Sequence, residues 1–413
     1  MTPIDASVEA DRYSAFRHKS FALYWASRVL SITATQIISV AVGWQIYDLT
    51  RDPFDLGLVG IIQFAPALML VLVTGAVADR VGRRLVMGLS ILLEGLCVAA
   101  LLVLTLRGLT SPLPVFVILF VFGLARAFLG PASSSLVANL VPARDFPNAV
   151  AWNSTAHQAS TICGPVAGGL LYGISPVVAY STAALFFAVA ALACFAIPRP
   201  PQRSSTEARS LEMLLGGFRY IWREKIVLGA ISMDLFAVLL GGAVALMPVF
   251  ARDVLDLGPW ALGMLRASPG VGALTVSIWL AGNPLRSHAG AMMLFCVGLF
   301  GAFTVVLGAS TVAWLSILAL IGLGAADVVS MYVRQTLIQL WTPDELRGRV
   351  SAVNQVFVGA SNELGEFRAG TMAALIGVGP AVILGGVGAM GVAALWAWLF
   401  PELRKVQNLR GRE

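Results

Sequence analysis

Apolar residues run along this chain in long blocks broken by short polar stretches. Each block is long enough to cross a bilayer as a helix, which takes about 20 residues, whereas the strands of a membrane barrel would alternate in segments of about ten. The blocks predict helices over approximately 21–47, 54–78, 85–106, 113–138, 147–173, 176–197, 226–250, 258–281, 288–310, 312–340, 348–376 and 379–400. That makes twelve crossings in an all-α membrane protein.

The one long polar interruption, 198–225, opens in proline and closes in an amphipathic segment, dividing the helices six and six. The expected organisation is a cytoplasmic tail over 1–20, a bundle over 21–197, a cytoplasmic linker over 198–225, a second bundle over 226–400 and a cytoplasmic tail over 401–413. An internal repeat supports the division. The stretches Pro142 to Asn153 and Pro343 to Asn354 lie 201 residues apart, and the same offset carries Gly123 to Gly324, Ser160 to Ser361 and Gly164 to Gly365. Parallel repeats with nested inverted triplets belong to a transporter architecture whose substrate site lies near the bilayer midplane, between the halves.

Composition agrees with this pattern: 58% of the 413 residues are hydrophobic, against roughly 45–50% in soluble domains, and the mean hydropathy is +0.83. Lys and Arg gather on the cytoplasmic side of membrane proteins. With both termini inside, the cytoplasmic segments hold Arg12, Arg17, Lys19, Arg80, Arg83, Arg84, Arg144, Arg286, Arg347 and Arg349, together with the basic residues of the linker and C-terminal tail. The outer loops hold Arg51, Arg107 and Arg252. The net charge of +6 is therefore a topology signal and needs no nucleic-acid partner. The first apolar block is too long for the core of a cleavable signal peptide, so a multi-pass protein of the inner or plasma membrane is expected. Cys97, Cys163, Cys194 and Cys296 sit singly within predicted helices and suggest neither a disulfide framework nor a metal site. No nucleophile-base pairing, H-E-x-x-H motif or phosphate loop is present, which argues against a membrane enzyme or an ATP-driven pump; neither metal nor cofactor is expected.

Between the second and third blocks, Gly75-Ala-Val-Ala-Asp79-Arg80-Val-Gly82-Arg83-Arg84 resembles the loop signature G-x-x-x-D-R-x-G-R-R/K of the major facilitator superfamily. The positive-inside bias suffices to explain Arg83 and Arg84, but not Asp79. Arg126 to Ser133 is similar to the R-x-x-x-G pattern of the superfamily's exporters, and Gly164-Pro165-Val-Ala-Gly168-Gly169 to their antiporter pattern G-P-x-x-G-G. Gly164 and Gly168 also form a small face on which helices approach closely, and packing alone would account for them. Across most of the chain the likeness is to the enterobactin-exporter-like group, which implies a major facilitator fold of two pseudo-symmetric six-helix bundles. It further implies export of a siderophore-like or drug-like amphiphile against protons, and a monomer is expected. The corresponding loop of the second half, AGNPLRSH, lacks the Asp-Arg pair, so any latch is asymmetric. A proton-coupled importer is the first alternative, and a receptor that binds without transport the second.

Ionisable residues within the blocks are the available chemistry, because a charge at mid-bilayer costs at least about 2.5–3.5 kcal/mol and therefore faces a cavity or a partner. Arg28, Arg126, Arg266, Arg334 and Arg368 stand against Glu94, Asp234, Asp327, Glu363 and Glu366. This balance favours internal pairing. Arg28, Ser31, Thr35 and Ser39 share one helical stripe suited to an aqueous cavity, although Arg28 could also snorkel to the headgroups. His157 sits in a similar stripe with Asn153, Ser160 and Gly164, as a hydrogen-bonding residue or a proton carrier.

Arg28, Thr35, Arg126, His157, Asp327 and Arg334 are thus the candidates for the substrate cavity, with Asp327 alternatively in a fixed ion pair. Asp234, near mid-bilayer, is the first candidate for the exchangeable proton, and Glu94, expected to neutralise Arg126 from behind, is a further one. Glu363 and Glu366 read as a gating or structural cluster towards the outer end. Asp79, held by Arg80, Gly82 and Arg83, is expected to latch onto the free N–H groups of a helix starting near Gly348.

Overall fold

The structure, a computed structural model, describes residues 12–198, 211–283, 285 and 287–407, apart from the side chains of residues 71, 72, 75, 76, 78, 79 and 211–215. The first half comprises α1 (Lys19–Thr50), α2 (Pro53–Val81), α3 (Arg83–Leu106), α4 (Leu113–Leu136), α5 (Phe146–Ile174) and α6 (Pro176–Ala196). A linker helix, α7 (Leu211–Arg223), leads to the second half. That half comprises α8 (Lys225–Gly241), the short α9 (Met247–Val249), α10 (Pro259–Gly282), α11 (Ala289–Ala309), α12 (Ala313–Trp341), α13 (Asp344–Ile376), α14 (Val378–Leu399) and α15 (Pro401–Arg404). The face carrying the α2–α3 and α4–α5 turns is called the terminal face below, because α1 begins and α14 ends there. The opposite, distal face carries the α1–α2 and α5–α6 turns.

Local chemistry sets the turns. Gly82, the signature glycine, takes φ 113° between α2 and α3, a backbone region that side-chain-bearing residues avoid. Between α5 and α6, Ser175 accepts a hydrogen bond from the backbone N–H of Val177, and Pro176 opens the helix. The arginines after Gly82 do more than mark topology. Arg83 Nη1 donates to the Ser135 carbonyl near the end of α4 at 3.1 Å, and Arg84 donates to the Cys194 and Phe195 carbonyls at the end of α6. Cations thereby satisfy carbonyls that helix C-termini leave free.

Two expectations need correction. The seventh crossing is broken: α8 stops at Gly241, and a 3-10 turn (Val244–Leu246), α9 and a π turn (Phe250–Val254) complete the span. Gly241 and Gly242 supply the soft point, and Arg368 of α13 donates to the freed carbonyls of Leu239, at 2.9 Å, and Leu240. The eleventh crossing begins at Asp344 and not near Gly348, with Asp344 and Glu345 in its first turn. Neither carboxylate caps the helix terminus; Asp344 lies 2.6 Å from Arg347 of the same turn. Gly75 and Asp79 lie on α2 with their side-chain surroundings outside the described residues, as is Arg286 altogether.

The repeat has a physical cause. A Cβ at Gly123 would collide with the Gln63 carbonyl of α2, and one at Gly324 with the Pro269 carbonyl of α10. Equivalent crossings in the two halves thus require equivalent glycines. Among the described residues, ten helical spans are long and apolar enough to cross a membrane by length and composition. The two long helices outside that set, α5 and α13, are related by the repeat, and each packs across the boundary between halves, α5 on α10 and α13 on α2. Their contacts correspond: Gly169 meets Pro259 and Gly263, while Gly370 meets Pro53 and Gly57. Small residues let the backbones approach there. Gly164 and Gly168 instead face Gln36 and Ile37 of α1.

The largest apolar core runs through the first half and continues at the distal face into Leu246, Phe250, Leu262 and Leu265 of the second. Two smaller cores, one around Met233, Met293 and Leu337 and one where α7 meets α13 through Ile221, Val350 and Val353, belong to the second half alone. The halves are therefore fused by packing at the distal face.

Candidate functional site

A cavity of about 300 Å³ lies between the halves. The first half contributes Thr35, Gln36 and Ser39 of α1, Gly60 and Gln63 of α2, Arg126 of α4, and Thr161 and Pro165 of α5; the second contributes Arg266 of α10 and Glu363 and Glu366 of α13. Its two arginines and two glutamates balance. Arg266 reaches across the boundary, where Nη1 donates to Ser39 Oγ, and its field acts on Glu366. Arg126 acts electrostatically on Glu363, Glu366 and Glu94.

Ion pairs between the halves close the distal side of the cavity. Arg252 pairs with Asp48 and lies 5.7 Å from the centre of the Trp44 ring. Arg51 Nη1 lies 3.6 Å from Asp253 Oδ1, and the Tyr47 hydroxyl donates to Asp253. Phe54 of α2 meets Phe367 of α13 edge-on, with ring centres 5.6 Å apart. These are surface contacts of modest individual strength. Such a seal can open.

Of the residues expected at the cavity, Thr35 and Arg126 line it. Arg28 lies two turns nearer the terminal face, roughly 10 Å along α1, where it acts on Glu94 and His157. His157 is exposed on α5. The α1 stripe divides, because Ser31 is 1% exposed and faces the bundle, while Thr35 and Ser39 face the cavity. On α5 the lining residues are Thr161 and Pro165, while Ser160 accepts a hydrogen bond from Thr33 Oγ1 at 3.1 Å.

Asp234 and Arg334 form an ion pair inside the second half, with side chains 8% and 4% exposed. Asp234 and Asp327 border a void of about 10 Å³ with Phe300 and Ser330, at the lower limit for one water molecule. Neither aspartate, nor Arg334, is among the residues lining the central cavity. Glu94 is fully buried in the first half, and among the described residues neither carboxylate oxygen has a hydrogen-bond partner. Arg126 and Arg28 are the charges that act on it.

Glu363 and Glu366, expected in a gating or structural cluster, and Arg266, to which the pattern gives no particular role, all line the cavity. The usable signal was the polarity of the eleventh block together with the repeat, which sets Glu366 opposite Pro165 of the antiporter-like motif. At the terminal face, Asp145 lies 3.0 Å from His18 Nε2. The bond to His18, with help from Ser14 and Arg144, holds the Asp145 carboxyl below its usual range. Its partner is thus the amino-terminal segment.

A long-helix bundle with a repeat boundary, a charged cavity on that boundary and a seal at one face is the architecture of a secondary transporter. A family model described as "transmembrane secretion effector" matches residues 10–410, and the chain belongs to that family of the major facilitator superfamily. It is similar to the enterobactin exporter EntS of Escherichia coli O157:H7, 23% identical over 95% of this chain and 94% of that protein. The corresponding exporter of Shigella boydii serotype 18 matches equally. Among solved structures, a bacterial homologue of the human lysosomal transporter Spinster, inward-facing and occupied, superposes with a TM-score of 0.75 at 13% identity, covering 96% of this chain and 99% of that one. The nucleoside transporter NupG gives 0.70 at 14% identity, covering 93% and 99%. These two establish the fold. The protein is a multi-pass membrane transporter and not an enzyme.

Proposed function

We propose that this protein exports a small amphiphilic organic molecule, siderophore-like or drug-like, in exchange for protons, by alternating access in the inner or plasma membrane. The positive-inside distribution of Lys and Arg supports a cytoplasmic terminal face, with both termini inside. The structure described above would then be the form closed to the outside. One observation carries the reading: a charge-balanced, hydrogen-bonding cavity lies on the boundary between the halves, beneath a seal of separable ion pairs. Such a lining suits cargo with both polar and apolar groups and does not select for one charge. Arg126 and Thr35 are the proposed cargo contacts, with the protein acting as a monomer. Asp79 and its loop, turned at Gly82 and anchored by Arg83, are assigned to the conformational latch at the terminal face.

The relatives named as enterobactin exporters support the outward direction. Labelled candidate amphiphiles should accumulate in inverted vesicles energised with a proton gradient, and collapse of that gradient should abolish the accumulation. Uptake confined to right-side-out vesicles would establish an importer instead, and binding without counterflow a receptor.

A further inference from the structure

Glu363 and Glu366, one turn apart on α13, converge on a single point of α2. A Cβ built at Gly60 would lie 2.6 Å from Glu363 Oε2 and 3.4 Å from Glu366 Oε2. Both carboxylates thus occupy the space that this glycine leaves free, on the wall of the central cavity. Two carboxylates sharing a weakly hydrated site disfavour double ionisation and tend to hold one proton between them.

The charges facing them come from different bodies. Arg126, on α4, belongs to the opposite half, whereas Arg266, on α10, belongs to their own half and is held by Ser39. Arg368, on their own helix, is turned away to the carbonyls of α8. Among the described residues, no charged side chain of α2, α8, α12 or α14 lines the cavity.

We propose that Glu363 and Glu366 form the proton-exchange site of the transport cycle, with Arg126 as a counter-charge carried by the other half. When the halves approach on the distal side, Arg126 favours the doubly ionised pair. When they separate there, its field weakens and the pair takes one proton from water, forming a single O–H bond; the reverse movement returns that proton to water. A cargo group that donates hydrogen bonds, such as an ammonium or a hydroxyl, binds the ionised pair and is displaced by the proton. This competition is what exchange requires. The Asp234–Arg334 pair lies within one half, so rocking of the halves leaves its separation unchanged.

The inference rests on the proton-coupled reading, and its test keeps the two apart. Spin labels at Ser111 and Thr311, exposed on the distal face of opposite halves, would be introduced as cysteines into the full chain with its four native cysteines replaced, reconstituted without cargo. Double electron–electron resonance then measures the long-distance population across pH. In the otherwise wild-type protein this population should grow as pH falls, by up to about tenfold for each pKa unit separating the two forms. Glu363→Gln/Glu366→Gln should lose the response, Glu366→Asp should keep it, and Asp234→Asn should keep it. An unchanged response in the double glutamine variant, or its loss in Asp234→Asn alone, would overturn the assignment and leave proton coupling standing. A wild-type protein indifferent to pH would overturn both.

Discussion

Two clusters of buried charge in this molecule use the same residue types to opposite ends. In the second half, Arg334 and Asp234 pair directly and are almost wholly removed from water. At the boundary, Arg126 and Arg266 stand around a cavity with Glu363 and Glu366, and none of those four makes an ion pair with another within 4.0 Å. A buried pair left intact holds one geometry, and breaking it strands a charge. Charges divided between two bodies change their separation whenever the bodies move. If the halves rock as rigid bodies, as proposed, membership of one half or of two separates scaffold from machinery here, more than residue type or depth does.

The largest expected effect lies in the sealed pair. Arg334→Ala should destabilise the protein by about 3–5 kcal/mol, because Asp234 is left buried without its partner. The joint replacement Arg334→Met/Asp234→Leu should recover most of that loss. Thermal unfolding in detergent reads both, and a destabilised double variant would show that the pair is more than a closed internal contact. Arg126→Ala should leave unfolding nearly unchanged while abolishing transport, the reverse profile.

Next come the glycines at which the halves touch. Gly169→Val would force a side chain towards the Pro259 carbonyl, which a Cβ would already approach to 2.6 Å, and Gly370→Val would meet the Pro53 carbonyl, at 2.7 Å. Overpacking of this kind costs about 1–3 kcal/mol, all of it in the distal-closed form, so the population should move roughly 5–150-fold towards distal opening. Thiol accessibility at the cavity position Thr35→Cys, probed from outside, should rise equally in the two variants. A rise in only one would show that the repeat-related contacts are not mechanically equivalent.

The ion pairs of the distal seal should matter less. Arg252→Ala removes the partner of Asp48 from the other half and the contact over Trp44, leaving Asp48 with Arg51 at 3.8 Å, a change of about 0.2–1 kcal/mol for an exposed pair. The same thiol assay should show a shift of a few-fold, reduced further in low-salt wild-type controls raised to high salt.

The smallest effect concerns Asp145. Its carboxyl titrates below the usual range because His18 bonds to it, so the contribution to docking the amino-terminal segment is present above the unfolded carboxylate pKa and is lost as pH falls through the lowered folded value. Acid should loosen the segment that bonds Asn148 and Trp152 through the Arg12 carbonyl, and Asp145→Asn should remove this acid step. Hydrogen exchange of residues 12–18 would report it.

Much of this architecture was legible in the hydrophobic pattern, because membrane crossing imposes length and apolarity on every span at once. The repeat offset was equally legible, since the glycines at 123 and 324 are required by matching backbone crossings. What the pattern hid has common causes. The apolar run through the seventh crossing continues across Gly241 and Gly242, so hydropathy alone passes over the break. The start of α13 is polar and precedes its apolar run, which displaced the expected start of the helix. Depth along a helix is easily counted, yet depth placed Asp234 near mid-bilayer without revealing that it faces Arg334 inside one bundle. Glu363 and Glu366 sit on a helix polar on several sides, where spacing does not choose the face.

Rocking of two rigid halves about the charged cavity would be read from paired distances at the two faces. Labels at Ser111 and Thr311 report the distal face, and labels at the repeat-related, exposed positions Arg144 and Glu345 report the terminal face. The account predicts two populations at each face with reciprocal weights: conditions or variants that lengthen the distal distance shorten the terminal one. A single, unchanging distance at both faces during active transport, or distances that lengthen together, would contradict it.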